Sequence, residues 1–84
     1  PGEYQIGRGK ENEICLSPRQ ISRDHAKIHV EETVIYIEDC DSANGTYVNG
    51  KKISAHVKTK CLGEDVITFA DISYQIQMLK KAGL

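Results

Sequence analysis

Residues 41–53 read "DSANGTYVNGKKI", and within them the pairs Asn44-Gly45 and Asn49-Gly50 stand five positions apart. Asn-Gly is the strongest short-range signal for a two-residue turn, because both central residues of a type I′ turn need φ > 0 and only Gly and Asn adopt it at little cost. The two pairs flank the short extended piece Thr46-Tyr47-Val48. Polar loops are therefore expected at both ends of one strand, where backbone and side chains can meet a partner. The pattern points to a binding edge on a β-structure.

Outward from this stretch the hydrophobic period is 2 almost everywhere. Ile72, Tyr74, Ile76 and Met78 alternate with polar residues, as a half-buried strand does, and so do Ala26, Ile28 and Val30. Val34 to Ile37 and Val66 to Phe69 are almost continuously apolar or β-branched, which predicts strands covered on both faces. No segment sustains a 3.6-residue period. Short strands about ten residues apart, separated by Gly, Asn, Pro and charged loops, predict an all-β antiparallel sandwich. Residues 79–84 read as a tail, and the chain as a single domain over 1–84.

Composition narrows the function. A chain of 84 residues buries only about 60% of its unfolded surface, so a deep catalytic cavity is not expected. With 39% hydrophobic and 27% charged residues it is globular, and no apolar run reaches the roughly 20 residues that span a bilayer. The net charge of −1 divides unevenly: residues 31–50 hold five acids and no Lys or Arg, while residues 51–84 hold six Lys and three acids. Neither block is basic enough to predict nucleic-acid binding, and no membrane contact is expected of this domain. Cys15, Cys40 and Cys61 are odd in number and widely spaced, as in a reduced cytoplasmic protein. With His25, His29 and His56 they give no zinc-ligand spacing, so neither a metal nor a cofactor is expected.

Three polar loops, residues 7–12, 17–24 and 41–45, lie between the predicted strands, and antiparallel topology gathers alternate loops at one end of a sandwich. Arg8, Ser22, Arg23 and Asn44 would then be neighbours. A guanidinium is planar and permanently charged, suited to bidentate contact with phosphate oxygens. Ser22 and His25 are three apart, yet no nucleophile elbow accompanies them, so a hydrolytic reading is set aside. The Ser22 hydroxyl is better placed as an anion donor, and His25 as a structural histidine at the start of a strand. No enzyme is expected.

Gly7-Arg8, Ser22-Arg23-Asp24-His25, Asp39 with Ser42-Ala43-Asn44-Gly45-Thr46, and Val48-Asn49-Gly50 follow one another in the order and spacing of the forkhead-associated (FHA) domain, which this chain resembles over residues 4 to 78. The resemblance implies a β-sandwich whose loops at one end bind phosphothreonine in an extended peptide, recruiting a phosphorylated protein partner. By the same resemblance Arg8, Ser22 and Arg23 would contact the phosphate and Asn44 the peptide backbone. Gly7, His25, Gly45, Thr46, Asn49 and Gly50 would support the loops. The loop Pro18 to Ile21 would set selectivity for the third residue after the phosphothreonine through Arg19 and Gln20, and Arg19 would favour an acidic residue there.

The sequence departs from the family pattern in three places. Ala43 replaces a Thr or Ser that donates to the phosphate in many relatives. Glu64 and Ala70 stand where glycines are common in the last hairpin, a turn expected to lie away from the site. The chain also starts close to Gly7, so the family's first strand pair is expected to be missing, leaving an edge for homo- or hetero-assembly. The alternative reading is a phosphate-independent scaffold in a larger assembly, such as a bacterial secretion-apparatus ring.

Overall fold

The structure, a computed structural model, describes residues 2–75. Nine strands follow in chain order: β1 Gly2–Gly7, β2 Ile14–Cys15, β3 Ala26–Glu31, β4 Val34–Asp39, β5 Thr46–Val48, β6 Lys51–Lys52, β7 Thr59–Cys61, β8 Val66–Phe69 and β9 Ile72–Gln75. They form a five-stranded sheet of order β2-β1-β3-β4-β7 and a four-stranded sheet of order β6-β5-β8-β9. The expected β-sandwich is therefore present, with one exception to its antiparallel pairing. β2 runs parallel to β1, Ile6 opposite Ile14 and Gly7 opposite Cys15, because residues 8–13 loop back and bring the chain alongside its own first strand. The alternation expected at Ile76 and Met78 and the tail at 79–84 lie outside the described residues.

Ile6, Ile28, Ile35 and Ile37 of the first sheet face Ile67 and Phe69 of the second, and Ile21 and Ile53 close the core from the connecting segments. Burial of these side chains, at about 1.5 to 3 kcal/mol each, is what docks the two sheets. The apolar runs in β4 and β8 are covered on one face only. Ile35 and Ile37 are buried while Val34, Tyr36 and Glu38 are half-buried, and Val66 is exposed beside buried Ile67. On the outer face of β3 and β4, long polar side chains shield one another: His29 Nε2 lies 2.8 Å from Glu38 Oε1 and Lys27 Nζ lies 3.6 Å from Glu3 Oε2.

The two Asn-Gly pairs separate in the structure. Asn49 (φ 51°) and Gly50 (φ 82°) make the two-residue turn joining β5 to β6, as a type I′ hairpin requires. Asn49 also donates to Asp65 Oδ1 (3.0 Å) and accepts from the Val66 amide (2.9 Å), which ties the turn to the start of β8. At Asn44-Gly45 only Gly45 is left-handed (φ 86°), and the pair closes the loop that carries the chain from β4 in one sheet to β5 in the other. It is a crossing between sheets rather than a hairpin.

Candidate functional site

Residues 7–12, 17–24 and 41–45 meet at one end of the sandwich, the first two joined by hydrogen bonds between their backbones and the third tied to the second through the side chains of Ser22 and Asn44. The Arg8 amide donates to the Ser22 carbonyl at 2.9 Å and the Gly9 amide to the Arg23 carbonyl at 3.1 Å. Asn12 bridges the same pair, its side-chain amide donating to the carbonyls of Gly9 (2.8 Å) and Arg23 (2.7 Å). Gly7 is required by this close approach, since a Cβ there would lie 2.1 Å from the Arg23 carbonyl oxygen. The first two loops are thereby held in van der Waals contact.

Arg8 projects from this junction. Its Nε donates to the Ile21 carbonyl at 3.1 Å, which fixes the plane of an exposed guanidinium, and among the described residues no carboxylate pairs with it. Its terminal nitrogens face solvent as an oriented fork. Arg23 is also exposed, and its Nε lies 3.6 Å from Glu11 Oε2. Its charge is thus partly answered within the chain. Arg19 is exposed.

Ser22 links the second loop to the third. Its Oγ accepts the Ala43 amide at 2.9 Å, and because a hydroxyl that accepts keeps its own proton, the O–H remains available to a ligand. Asn44 is exposed and its Nδ2 donates to the Gln20 carbonyl at 2.8 Å, which leaves Oδ1 and the second amide hydrogen outward. Ala43 offers only a methyl group beside them.

Beneath the surface lies a buried polar frame. His25 is fully buried; its Nδ1 accepts the Ser22 amide (3.0 Å), so Nε2–H is the donor to the Gly45 carbonyl (2.9 Å). Its edge meets the Phe69 ring at a centroid distance of 5.7 Å. Both ring nitrogens are spent on backbone groups, and the Ser22 hydroxyl is not among its partners. Ser22 and His25 therefore do not form a nucleophile and base. Asp39, 4% exposed, accepts from the Ser42 hydroxyl (2.6 Å), the Ser42 amide (3.1 Å) and the Thr46 hydroxyl (2.6 Å). Burial raises the Asp39 pKa, but the Ser42 and Thr46 hydroxyls and the Ser42 amide together outweigh it, and the carboxyl is held below its ordinary value. Gly45 could not carry a side chain without strain, both for its φ and because Tyr47 Oη and Lys52 Cε already lie 3.1 and 3.2 Å from where a Cβ would be.

The turn between β8 and β9 belongs to this end of the molecule, contrary to the expectation that it lies away from the site. β5 and β8 pair antiparallel with Thr46 opposite Phe69, so the turn at Ala70-Asp71 falls beside Gly45. The Ala70 amide donates to the Gly45 carbonyl at 2.9 Å, and Gln20 Nε2 donates to Asp71 Oδ1 at 2.8 Å. Asn12 and Asp71 are the contributors that sequence reasoning missed. Asn49-Gly50, in contrast, lies at the far end of β5.

Cys15 Sγ donates to the Arg8 carbonyl at 3.5 Å, while the thiols of Cys40 and Cys61 lie outside this arrangement. Burial pushes the Cys61 thiol up to about 11, aided by Asp65, and raises Cys40 as well, so both stay protonated near neutral pH. Among the described residues no cluster of His, Cys, Asp and Glu could hold a metal, and no helix is long and apolar enough to cross a membrane.

Comparison with known proteins identifies the family. The family model of the FHA domain matches residues 4–70. The ATP-binding/permease protein Rv1747 of Mycobacterium tuberculosis is 35% identical over 72 residues, covering 86% of this chain and 8% of that protein. Human proliferation marker protein Ki-67 is also 35% identical over 72 residues, covering 86% of this chain and 2% of Ki-67. The chain thus spans a small fraction of the length of these relatives. Among solved structures, the N-terminal FHA domain of S. cerevisiae Rad53p in complex with a phosphothreonine peptide aligns with a TM-score of 0.70 at 26% identity, covering 79% of this chain and 54% of that one. With a family match across most of its length and that family's β-sandwich as its structure, this chain belongs to the FHA domain family.

Proposed function

We propose that the chain is a phosphothreonine-peptide-binding module that recruits a phosphorylated protein partner in the cytoplasm. The observation that carries this reading is the oriented Arg8 fork beside the free Ser22 proton, with Asn44 next to them. A phosphothreonine brings about −1.5 to −2 charges and three acceptor oxygens. In this reading Arg8 holds two of those oxygens, Ser22 donates to the third, and Arg23 adds a field that Glu11 moderates. Asn44 both donates to and accepts from the ligand backbone, which fixes the peptide's register. The complex of Rad53p with a phosphothreonine peptide supports the reading from a relative. Binding of a phosphorylated side chain through three loops needs no chemistry beyond recognition, so the domain acts as an interaction module.

Two or three charge-assisted hydrogen bonds at about 1.5 to 3 kcal/mol each, less the ordering of the peptide, correspond to micromolar affinity. The test is calorimetric titration with a phosphothreonine peptide library, its phosphoserine and unphosphorylated counterparts, and Arg8→Ala. Affinity is expected only for the phosphorylated peptides, and Arg8→Ala should weaken it by about 100-fold or more, two bonds' worth. Phosphate-independent affinity would overturn this reading, and an unaffected Arg8→Ala would move the site elsewhere.

A phosphate-independent scaffold role is the second reading. It is favoured by Ala43, whose methyl gives an anion nothing and whose amide already serves Ser22. The unphosphorylated peptides in the same titration separate the two.

A further inference from the structure

The Asn44-Gly45 loop lies between walls of opposite charge. In the second sheet β5 runs between β6 and β8, so whatever stands on β6 and whatever stands on the β8–β9 turn face the loop from opposite sides. On the β6 side, Lys52 pairs with Tyr47, and both side chains lie across Gly45, with Lys52 Cε and Tyr47 Oη within 3.2 Å of the place its Cβ would take. The Tyr47 hydroxyl reaches the Asn44 carbonyl at 3.4 Å. Lys52 is exposed and, among the described residues, forms no ion pair, its charge offset only across the shallow hollow that it lines with Asp39 and Asp41. On the other side the Ala70 amide bonds to Gly45, and Gln20 grips one oxygen of Asp71. The second carboxylate oxygen is left toward solvent, and no cation of the described residues answers it.

We propose that the site reads charge on both flanks of the phosphothreonine, Lys52 selecting an acidic residue on one side and Asp71 a basic residue on the other. This inference rests on the phosphothreonine reading above. An extended peptide rises about 3.3 Å per residue, so a ligand anchored at Arg8 and Asn44 brings residues within three positions of the phosphothreonine to both walls. The partner class is a phosphopeptide whose acidic and basic residues lie on opposite sides of the modified threonine. Gln20 thus holds the Asp71 carboxylate in place on that flank, where its repulsion of an acidic residue is set against the attraction expected from exposed Arg19. Exposed pairs of this kind are screened by salt and alter affinity by about two- to fivefold per flank.

The test is fluorescence titration of the whole chain with phosphothreonine peptides that carry Asp, Ala or Lys at each of the three positions on either side, at low and high ionic strength. The expected result is a preference for Asp on one side and Lys on the other, shrinking as salt rises. Lys52→Glu should invert the first preference alone. Asp71→Asn, which keeps an acceptor for Gln20 and so preserves the turn, should erase the second alone, and Asp71→Lys should invert it. A flat response to peptide charge, or variants that change all affinities equally, would overturn the inference while leaving the phosphothreonine site standing. If no phosphorylated peptide of the panel binds, the function proposed above fails and this inference fails with it.

Discussion

At the scale of single residues, Asp39 is where local chemistry most affects the site, because one carboxylate gathers Ser42 and Thr46 and so sets the path of the loop that ends in Asn44. Its folded-state pKa lies below the unfolded value of about 3.9, so its contribution to stability is complete above that value and is lost as pH falls through it toward the lowered folded one. Urea midpoints should therefore change little between pH 6 and about pH 4 and drop steeply below it. Asp39→Asn should be less stable by about 3 kcal/mol at pH 7, since hydrogen bonds to a charged group are worth roughly 1.5 to 3 kcal/mol each. Its acid slope should also be shallower than that of the natural chain, although exposed Glu13 and half-buried Asp65 are lowered too and keep part of the slope in both proteins. Equal slopes would show that Asp39 is not the group responsible. Gly45 and Gly7 act at the same scale by what they lack, the first by its positive φ and the second by its contact with the Arg23 carbonyl.

At the scale of elements, the turns carry the strain. The β3–β4 hairpin turns at Glu32-Thr33 with Glu32 at φ 55°, a conformation that costs an L-residue with a Cβ about 1 to 2 kcal/mol. Glu32 is exposed. Glu32→Gly should remove that cost while adding about 0.4 to 1 kcal/mol of unfolded-chain entropy, a net gain near 0.5 kcal/mol and a melting temperature higher by about 2 to 4 °C. A lower melting temperature would mean that the glutamate side chain supplies an interaction outweighing the strain. The elements also show what was legible in the sequence. β3, β4, β5 and β8 were, because period-2 or apolar runs of three or more residues mark them. β2, β6 and β7 were not: they are two or three residues long and mostly exposed, so no hydrophobic alternation records them, and only pairing with a neighbour makes them strands. The same reason explains the site. Arg8, Ser22 and Asn44 stand in short motifs read locally, whereas Gln20 and Asp71 meet across 51 positions, and no local pattern encodes a contact of that range.

At the scale of the whole molecule, the loops at the site end are also where the two sheets are joined by polar groups. His25 immediately precedes β3 in the first sheet and donates to Gly45, which precedes β5 in the second, while Asp39 at the end of β4 accepts from Thr46 at the start of β5. The remaining contact between sheets is apolar and lies deeper, among Ile28, Ile37, Ile67 and Phe69. The site end can therefore open locally without exposing that core, and the amides that His25 organises should open together. The Ser22 amide donates to His25 Nδ1, the Gly45 amide to Ser42 Oγ, and the Ala70 amide to the Gly45 carbonyl that His25 also holds. In native-state hydrogen exchange these three should share one opening free energy below that of the core amides in β3 and β4. His25→Ala strips two buried backbone groups of their partner at about 1 to 3 kcal/mol each, and should speed exchange at Ser22, Gly45 and Ala70 together by tenfold or more. Amides of β3 and β4 should change only by the loss in global stability. Uniform acceleration throughout both sheets would show that the loop end and the sandwich open as a single unit, and that the ligand site cannot be loosened without unfolding the domain.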